Sequence, residues 1–159
     1  MLRRTLLDLL EEPPGTLHTI DVAEEPLERE CARYEEVVAT GGLDLTLLGL
    51  GRNGHIGLNE PGTDAASLTR PVRLEQSTVA NAARYGSQRL PTRGVTLGLR
   101  PLLASREIWL LVTGTSKAAV LAAAVTGPVG PHLPASYLQQ HDNCRVLADA
   151  SAADLLSAP

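Results

Sequence analysis

Asn53, His55 and Glu60 fall within one short stretch, LLGLGRNGHIGLNEPG, at residues 47 to 62. Histidine is the side chain whose ordinary pKa lies near neutrality, so His55 is suited both to give and to take a proton. Glu60 stands five residues on, and a turn through Gly57 would bring its carboxylate back to the imidazole. A carboxylate at one ring nitrogen fixes the tautomer and supports the protonated ring, while the other nitrogen faces a substrate. Asn53 is placed to orient the ring or a substrate hydroxyl. Glycines 49, 51, 54 and 57 are expected to let the backbone come close to a ligand.

The same stretch also spells Gly49-x-Gly51-x-x-Gly54 after an apolar run, and Glu75 follows Gly54 by 21 residues, where a ribose-binding acid would stand. That dinucleotide reading needs a helix opening at the third glycine, its N-terminus facing a pyrophosphate. Gly57, Pro61 and Gly62 oppose such a helix, proline by about 3 kcal/mol at an interior position. The loop therefore reads as a small active site with its own acid and base.

A second group of residues suits a phosphate ester. Of the fourteen basic residues, thirteen are arginine and only Lys117 is lysine, and arginine is not its chemical equivalent. Lys117 lies in VTGTSKAAV, where a helix capped by Thr115 or Ser116 would offer backbone N–H groups, a positive dipole end and an ammonium together. The spacing is not that of a nucleotide-binding loop. Arg84, in NAARYG, could supply a second, bidentate contact. No His, Cys, Asp or Glu residues show a metal-ligand pattern, so no metal is expected.

These residues need a scaffold, and the pattern supplies one. Helices are expected over 3–12, from Pro26 to the GG at 41–42, over 77–86, after Thr115 to Gly127, in PASYLQQH and in ASAADLLS. Strands are expected in TLHTIDV (16–22), LDLTLLGLG, RPVRLEQ, GVTLGL, REIWLLVTG and CRVLAD, and LDLTLLGLG reads as buried on both faces. Strands alternating with helices imply an α/β domain over 1–159, with three layers and a mostly parallel, Rossmann-like sheet covered by helices on both faces. In such a sheet, ligands bind beyond the carboxyl ends of the strands, where the loop, the approach to Arg84 and the Lys117 turn all fall.

The chain has 159 residues, 43% apolar and 20% charged, with a net charge of −4. That composition fits a globular protein, and the charge disfavours nucleic acid or a membrane surface as partner. Asp8, Glu11 and Glu12 interrupt the opening apolar run too early for a signal peptide. Cys31 and Cys144 suggest no disulfide framework, so a cytoplasmic location is expected.

LGLGRNGHIGLNEPGT, followed in order by VANAARYG, GVTLGL and VTGTSKAAV, resembles the glucosamine-6-phosphate deaminases, from about Leu6 to past Ala148. The 6-phosphogluconolactonases share the Gly-His after a Gly-rich turn but not NEPG. The resemblance implies a cofactor-free reaction in which glucosamine 6-phosphate is ring-opened, isomerised and deaminated to fructose 6-phosphate and ammonia. It makes His55 the ring-opening acid/base, Glu60 its orienting carboxylate, and Arg84 and Lys117 the phosphate contacts. Asn53 stands where members carry Asp or Asn. Met1 would correspond to a point well inside the family's chain, so that the N-terminal strands, a phosphate loop and the Asp of the isomerisation step have no counterpart here. A sheet edge left unpaired in this way makes a homo-oligomer or other partner an expectation. A non-catalytic phosphosugar-binding protein, or another phosphosugar isomerase or lactonase, is the alternative. Of the activator site found in some members, Thr63 and Arg70 match in part and Val72 does not.

Overall fold

The computed structural model describes residues 7–12, 14–23, 26–74 and 92–156. Its centre is a three-stranded parallel sheet of β1 (Leu45–Gly49), β4 (Glu107–Val112) and β5 (Cys144–Ala148), in the order β1-β4-β5. The register sets Gly49 opposite Leu111, and Val112 opposite Ala148. A separate antiparallel pair joins β2 (Arg70–Arg73) to β3 (Arg93–Thr96). Parallel neighbours end at the same side, so the loop after β1 and the turn after β4 emerge next to each other.

Helix α1 (Leu27–Gly41) starts after an extended Pro26 and carries Glu28 and Glu30 in its first turn, where the helix dipole favours negative charge. Gly42 closes it at φ 69°, its N–H reaching the Val38 carbonyl, a conformation that glycine adopts without strain. Helix α2 (Leu99–Leu103) follows β3. Helix α3 (Ala118–Thr126) follows a 3-10 turn at Thr115–Lys117, and α4 (Ala150–Ala153) follows β5. The core joins one face of the sheet (Leu48, Ile108, Leu110 and Val112) to Leu99 and Leu102 of α2, Leu121 and Ala124 of α3, and Leu138. Burying an apolar side chain of this size contributes roughly 1.5–3 kcal/mol.

Several expectations change. The alternation over 16–22 forms no strand. Instead the side chains of α1 hold it, with Asp21 N–H donating to Glu30 and Arg33 to the Thr19 carbonyl. Of the helix expected over 3–12, the described residues form a 3-10 turn at Leu7–Leu9, and PASYLQQH forms a 3-10 helix over Pro134–Gln140. GVTLGL divides between β3 and the start of α2. RPVRLEQ contributes β2, which pairs antiparallel outside the central sheet, and Glu75 lies outside the described residues, as does the helix expected over 77–86. The β1 strand is buried on one face: Leu48 is 7% exposed, but Leu45 and Leu47 are 44% and 59% exposed. Leu111 and Leu147 are exposed too, on the same side of the register as Leu47. Among the described residues these four leucines leave this face of the sheet partly open. No helix among the described residues is long and apolar enough to cross a membrane.

Candidate active site

The loop after β1 is built around an apolar anchor. Ile56 is fully buried and bridges back to Leu50 and on to Asn59, so the chain curls tightly through residues 51 to 59. Gly51 N–H donates to the His55 carbonyl at 2.8 Å, and Gly54 N–H to the Gly51 carbonyl at 3.1 Å. The segment 130–135 supports the loop from behind, with Ala135 N–H on the Gly54 carbonyl and Gly62 N–H on the Pro131 carbonyl.

Gly51, Gly54 and Gly57 are required by this curl. A Cβ on Gly51 would lie 2.5 Å from the His55 ring, and one on Gly54 would lie 2.1 Å from Leu133 Cδ1. Gly54 also sits at φ 86° and Gly57 at φ 59°. The ring of His55 can therefore lie across the loop only because residue 51 has no side chain.

The turn through Gly57 returns Glu60 to His55. Glu60 Oε2 lies 3.2 Å from His55 Nδ1, with the two side chains 11% and 16% exposed. Asn53 Nδ2 donates to the same oxygen at 2.7 Å, and Asn53 Oδ1 accepts from the His55 backbone N–H at 3.3 Å. Three residues read from the sequence as one constellation thus meet on a single carboxylate oxygen. An ionised carboxylate only accepts hydrogen bonds, so Glu60 selects the form of His55 that carries a proton on Nδ1.

Lys117 arrives from the neighbouring strand. It ends the 3-10 turn before α3, and neither Thr115 nor Ser116 caps that helix through its side chain. Its Nζ donates to the Leu50 carbonyl at 2.6 Å, at the start of the His55 loop. Burial lowers its pKa from the ordinary lysine value, and the charge of Arg52 lowers it further. The turn itself is fixed by Asp149, whose two carboxylate oxygens accept from Gly114 N–H at 3.1 and 3.0 Å. Arg84 lies outside the described residues, and no group of three or more His, Cys, Asp or Glu among those described could hold a metal ion.

One residue within the loop and one beside it were not singled out for the site from the sequence. Asn59 is fully buried, and Arg70 reaches it from β2. A polar side chain inside a stretch otherwise anchored by buried Ile56 is the signal that could have found Asn59. Burial lowers the Arg70 pKa from its ordinary value, though a guanidinium stays charged. A cleft of about 440 Å³, walled by Glu60, Thr63, Ser67, Arg70 and Arg73, borders Glu60 rather than His55.

The arrangement can move a proton through His55, hold the imidazolium through Glu60, and present an ammonium to an anion. Against known proteins, the family described as glucosamine-6-phosphate isomerases/6-phosphogluconolactonase matches residues 1–147. The chain is 40% identical over 157 residues to a glucosamine-6-phosphate deaminase of Bacillus pumilus, covering 97% of this chain and 65% of that relative. It is 48% identical over 127 residues to one of Rhodopirellula baltica, covering 78% of this chain and 51% of the other. A solved structure of a monomeric glucosamine-6-phosphate deaminase matches with a TM-score of 0.92 at 37% identity, over 97% of this chain and 65% of that one. The 6-phosphogluconolactonase of Thermotoga maritima, at 22% identity, 93% and 63% coverage and a TM-score of 0.66, shares the fold. The chain spans 51% to 65% of the length of the deaminases it matches. With its parallel sheet and the Asn53–His55–Glu60 loop at the end of β1, it belongs to the family of glucosamine-6-phosphate isomerases and 6-phosphogluconolactonases.

Proposed function

We propose that this chain carries the ring-opening and phosphate-holding part of a cofactor-free glucosamine-6-phosphate deaminase. The observation that carries the reading is the meeting of Asn53, His55 and Glu60 on one carboxylate oxygen, with Nδ1 of His55 3.2 Å from Glu60. With Nδ1 engaged by Glu60, proton exchange with substrate falls to Nε2. Opening the pyranose breaks the C1–O5 bond while a proton leaves the anomeric hydroxyl and one reaches the ring oxygen, a task suited to one imidazole acting in both directions. Moving a proton from C2 to C1 then converts the open amino-aldose to the C2 imine, and addition of a water molecule at C2 with loss of the amino group gives fructose 6-phosphate and ammonia. Lys117 is the phosphate contact of this reading, its ammonium at the carboxyl ends of two parallel strands where ligands of such sheets bind. Arg84 is the second contact.

The test is ammonia release from glucosamine 6-phosphate, with His55→Ala as control and calorimetric binding of the same sugar in parallel. Turnover abolished by the substitution is the expected result. Binding without turnover would move the chain to a phosphosugar-binding protein. Hydrolysis of 6-phosphogluconolactone in place of deamination would move it to the lactonase branch, and neither binding nor turnover would overturn the reading.

A further inference from the structure

One guanidinium holds a side chain on each side of Glu60, Asn59 before it and Thr63 after it. Arg70 Nη1 donates to Asn59 Oδ1 at 3.0 Å and to the Leu68 carbonyl at 3.1 Å, and Nη2 donates to Thr63 Oγ1 at 3.3 Å. Asn59 is the residue immediately before Glu60. The Thr63 hydroxyl in turn donates to the Glu60 carbonyl at 2.7 Å, and Thr63 N–H reaches the same carbonyl at 3.1 Å. Asn59 cannot rotate away without loss: its side chain is 0% exposed, and Nδ2 donates to the carbonyls of Ile56 at 3.1 Å and Leu97 at 2.9 Å. Its Oδ1 is thereby turned toward the arginine. A buried amide with all its groups satisfied is rigid, because each displacement leaves a polar atom unpaired.

We propose that Arg70 and Asn59 are positioning residues that fix the Glu60 carboxylate against Nδ1 of His55, by way of the Arg70–Asn59 bond and the Arg70–Thr63–Glu60 chain. Neither residue touches the imidazole, and both act through Glu60. The proposal deepens the deaminase reading of the same site, and rests on it only for its effect on turnover.

The test reads the His55 tautomer directly, without substrate. In the unsubstituted chain, long-range ¹H–¹⁵N correlation spectra at alkaline pH should show a neutral His55 ring with its proton on Nδ1. Arg70→Met keeps a long apolar stem but removes all three donors, and should convert the ring to a mixed or predominantly Nε2–H form. Arg73→Met, on the same strand, should leave the spectrum as it was. Retention of the Nδ1–H form in Arg70→Met overturns the proposal. If Arg70→Met shows no cooperative unfolding transition, Thr63→Val cuts the second path alone and should give a partial conversion toward the Nε2–H form, and an unchanged tautomer there is equally fatal. Where the chain deaminates glucosamine 6-phosphate, Arg70→Met should also lower kcat at least tenfold with KM changed less than twofold. A chain without deaminase activity still gives the tautomer result, so the two readings fail separately.

Discussion

The ammonium of Lys117 donates to the carbonyl of Leu50 at 2.6 Å, which ties the turn after β4 to the start of the His55 loop after β1. The link follows from the parallel register: two adjacent strands ending at one level place their loops within reach. An ammonium is a point donor on a flexible stem, and a guanidinium in the same place would present a planar fork to one carbonyl. The one lysine of this chain thus has a local structural reason as well as a proposed role toward phosphate.

Its titration is directly measurable for the same reason. Reductive ¹³C-methylation labels Lys117 and the chain's amino terminus alone, since no other lysine exists. The Lys117 signal should titrate below the ordinary lysine range, because burial disfavours its charge and Arg52 adds repulsion. Arg52→Gln should raise the midpoint without restoring it fully, burial being the larger cause. A midpoint unmoved by Arg52→Gln would mean that the two cations do not interact.

Gly51 and Gly54 should fail in different ways when given a methyl group. At Gly51 the added Cβ meets the His55 ring at 2.5 Å, and a side chain can be pushed aside. Gly51→Ala should therefore fold with a near-normal melting temperature, yet lose turnover by about 10²–10⁴-fold, the range of a lost acid/base group. At Gly54 a positive φ combines with a 2.1 Å approach to Leu133 in the packed segment behind the loop. Gly54→Ala should lower stability by roughly 1–3 kcal/mol from overpacking alone. Melting curves and ammonia release on the two variants check the contrast, and a Gly51→Ala protein that retains full activity would contradict the placement of His55.

Asn53 is the third member of the loop, and its loss should be felt as stability. Its Nδ2 lies 2.7 Å from a Glu60 oxygen that is largely shielded from water. Hydrogen bonds to charged groups contribute about 1.5–3 kcal/mol, and the partial exposure of the pair favours the low end. Asn53→Ala should lower the unfolding free energy by that amount, read as a lower urea midpoint at an unchanged m-value. No shift would mean that water replaces the amide at no cost.

How legible this site was depended on how local its cause was. The loop could be read because its residue types are crowded into one stretch, and a single turn at Gly57 suffices to bring Glu60 to His55. LDLTLLGLG and REIWLLVTG were legible as apolar runs, and CRVLAD as the strand that completes the alternation of helix and strand; they form β1, β4 and β5. Arg70 and Asn59 are joined by a bond between β2 and the loop that no spacing rule announces. The alternation of 16–22 misled because period-two patterning needs a partner strand to become a strand. Among the described residues that segment is tethered by side chains of α1 instead. The same limit applies to Leu45 and Leu47, whose run of apolar residues shows that the strand can be buried, not which faces are covered.

The tether of that segment predicts a pH dependence. Glu30 accepts from Arg33 Nε and Nη2, both at 2.6 Å, and from Asp21 N–H at 2.7 Å. These bonds, the Arg33 pair foremost, hold its carboxyl at about 2, against an ordinary value of 4.5. A depressed folded-state pKa means that the unfolded chain binds the proton more readily. The contribution to stability is therefore complete above the unfolded value of 4.5 and declines as the pH falls toward about 2. Glu30→Gln keeps the shape but removes the charge. Its melting temperature should lie below that of the unsubstituted chain at neutral pH, and the two should converge as the pH falls from 4.5 toward about 2. A gap of constant size across that window would show that the charge of Glu30 contributes nothing, and that the segment at 19–21 is held by Arg33 and the Thr19 carbonyl alone.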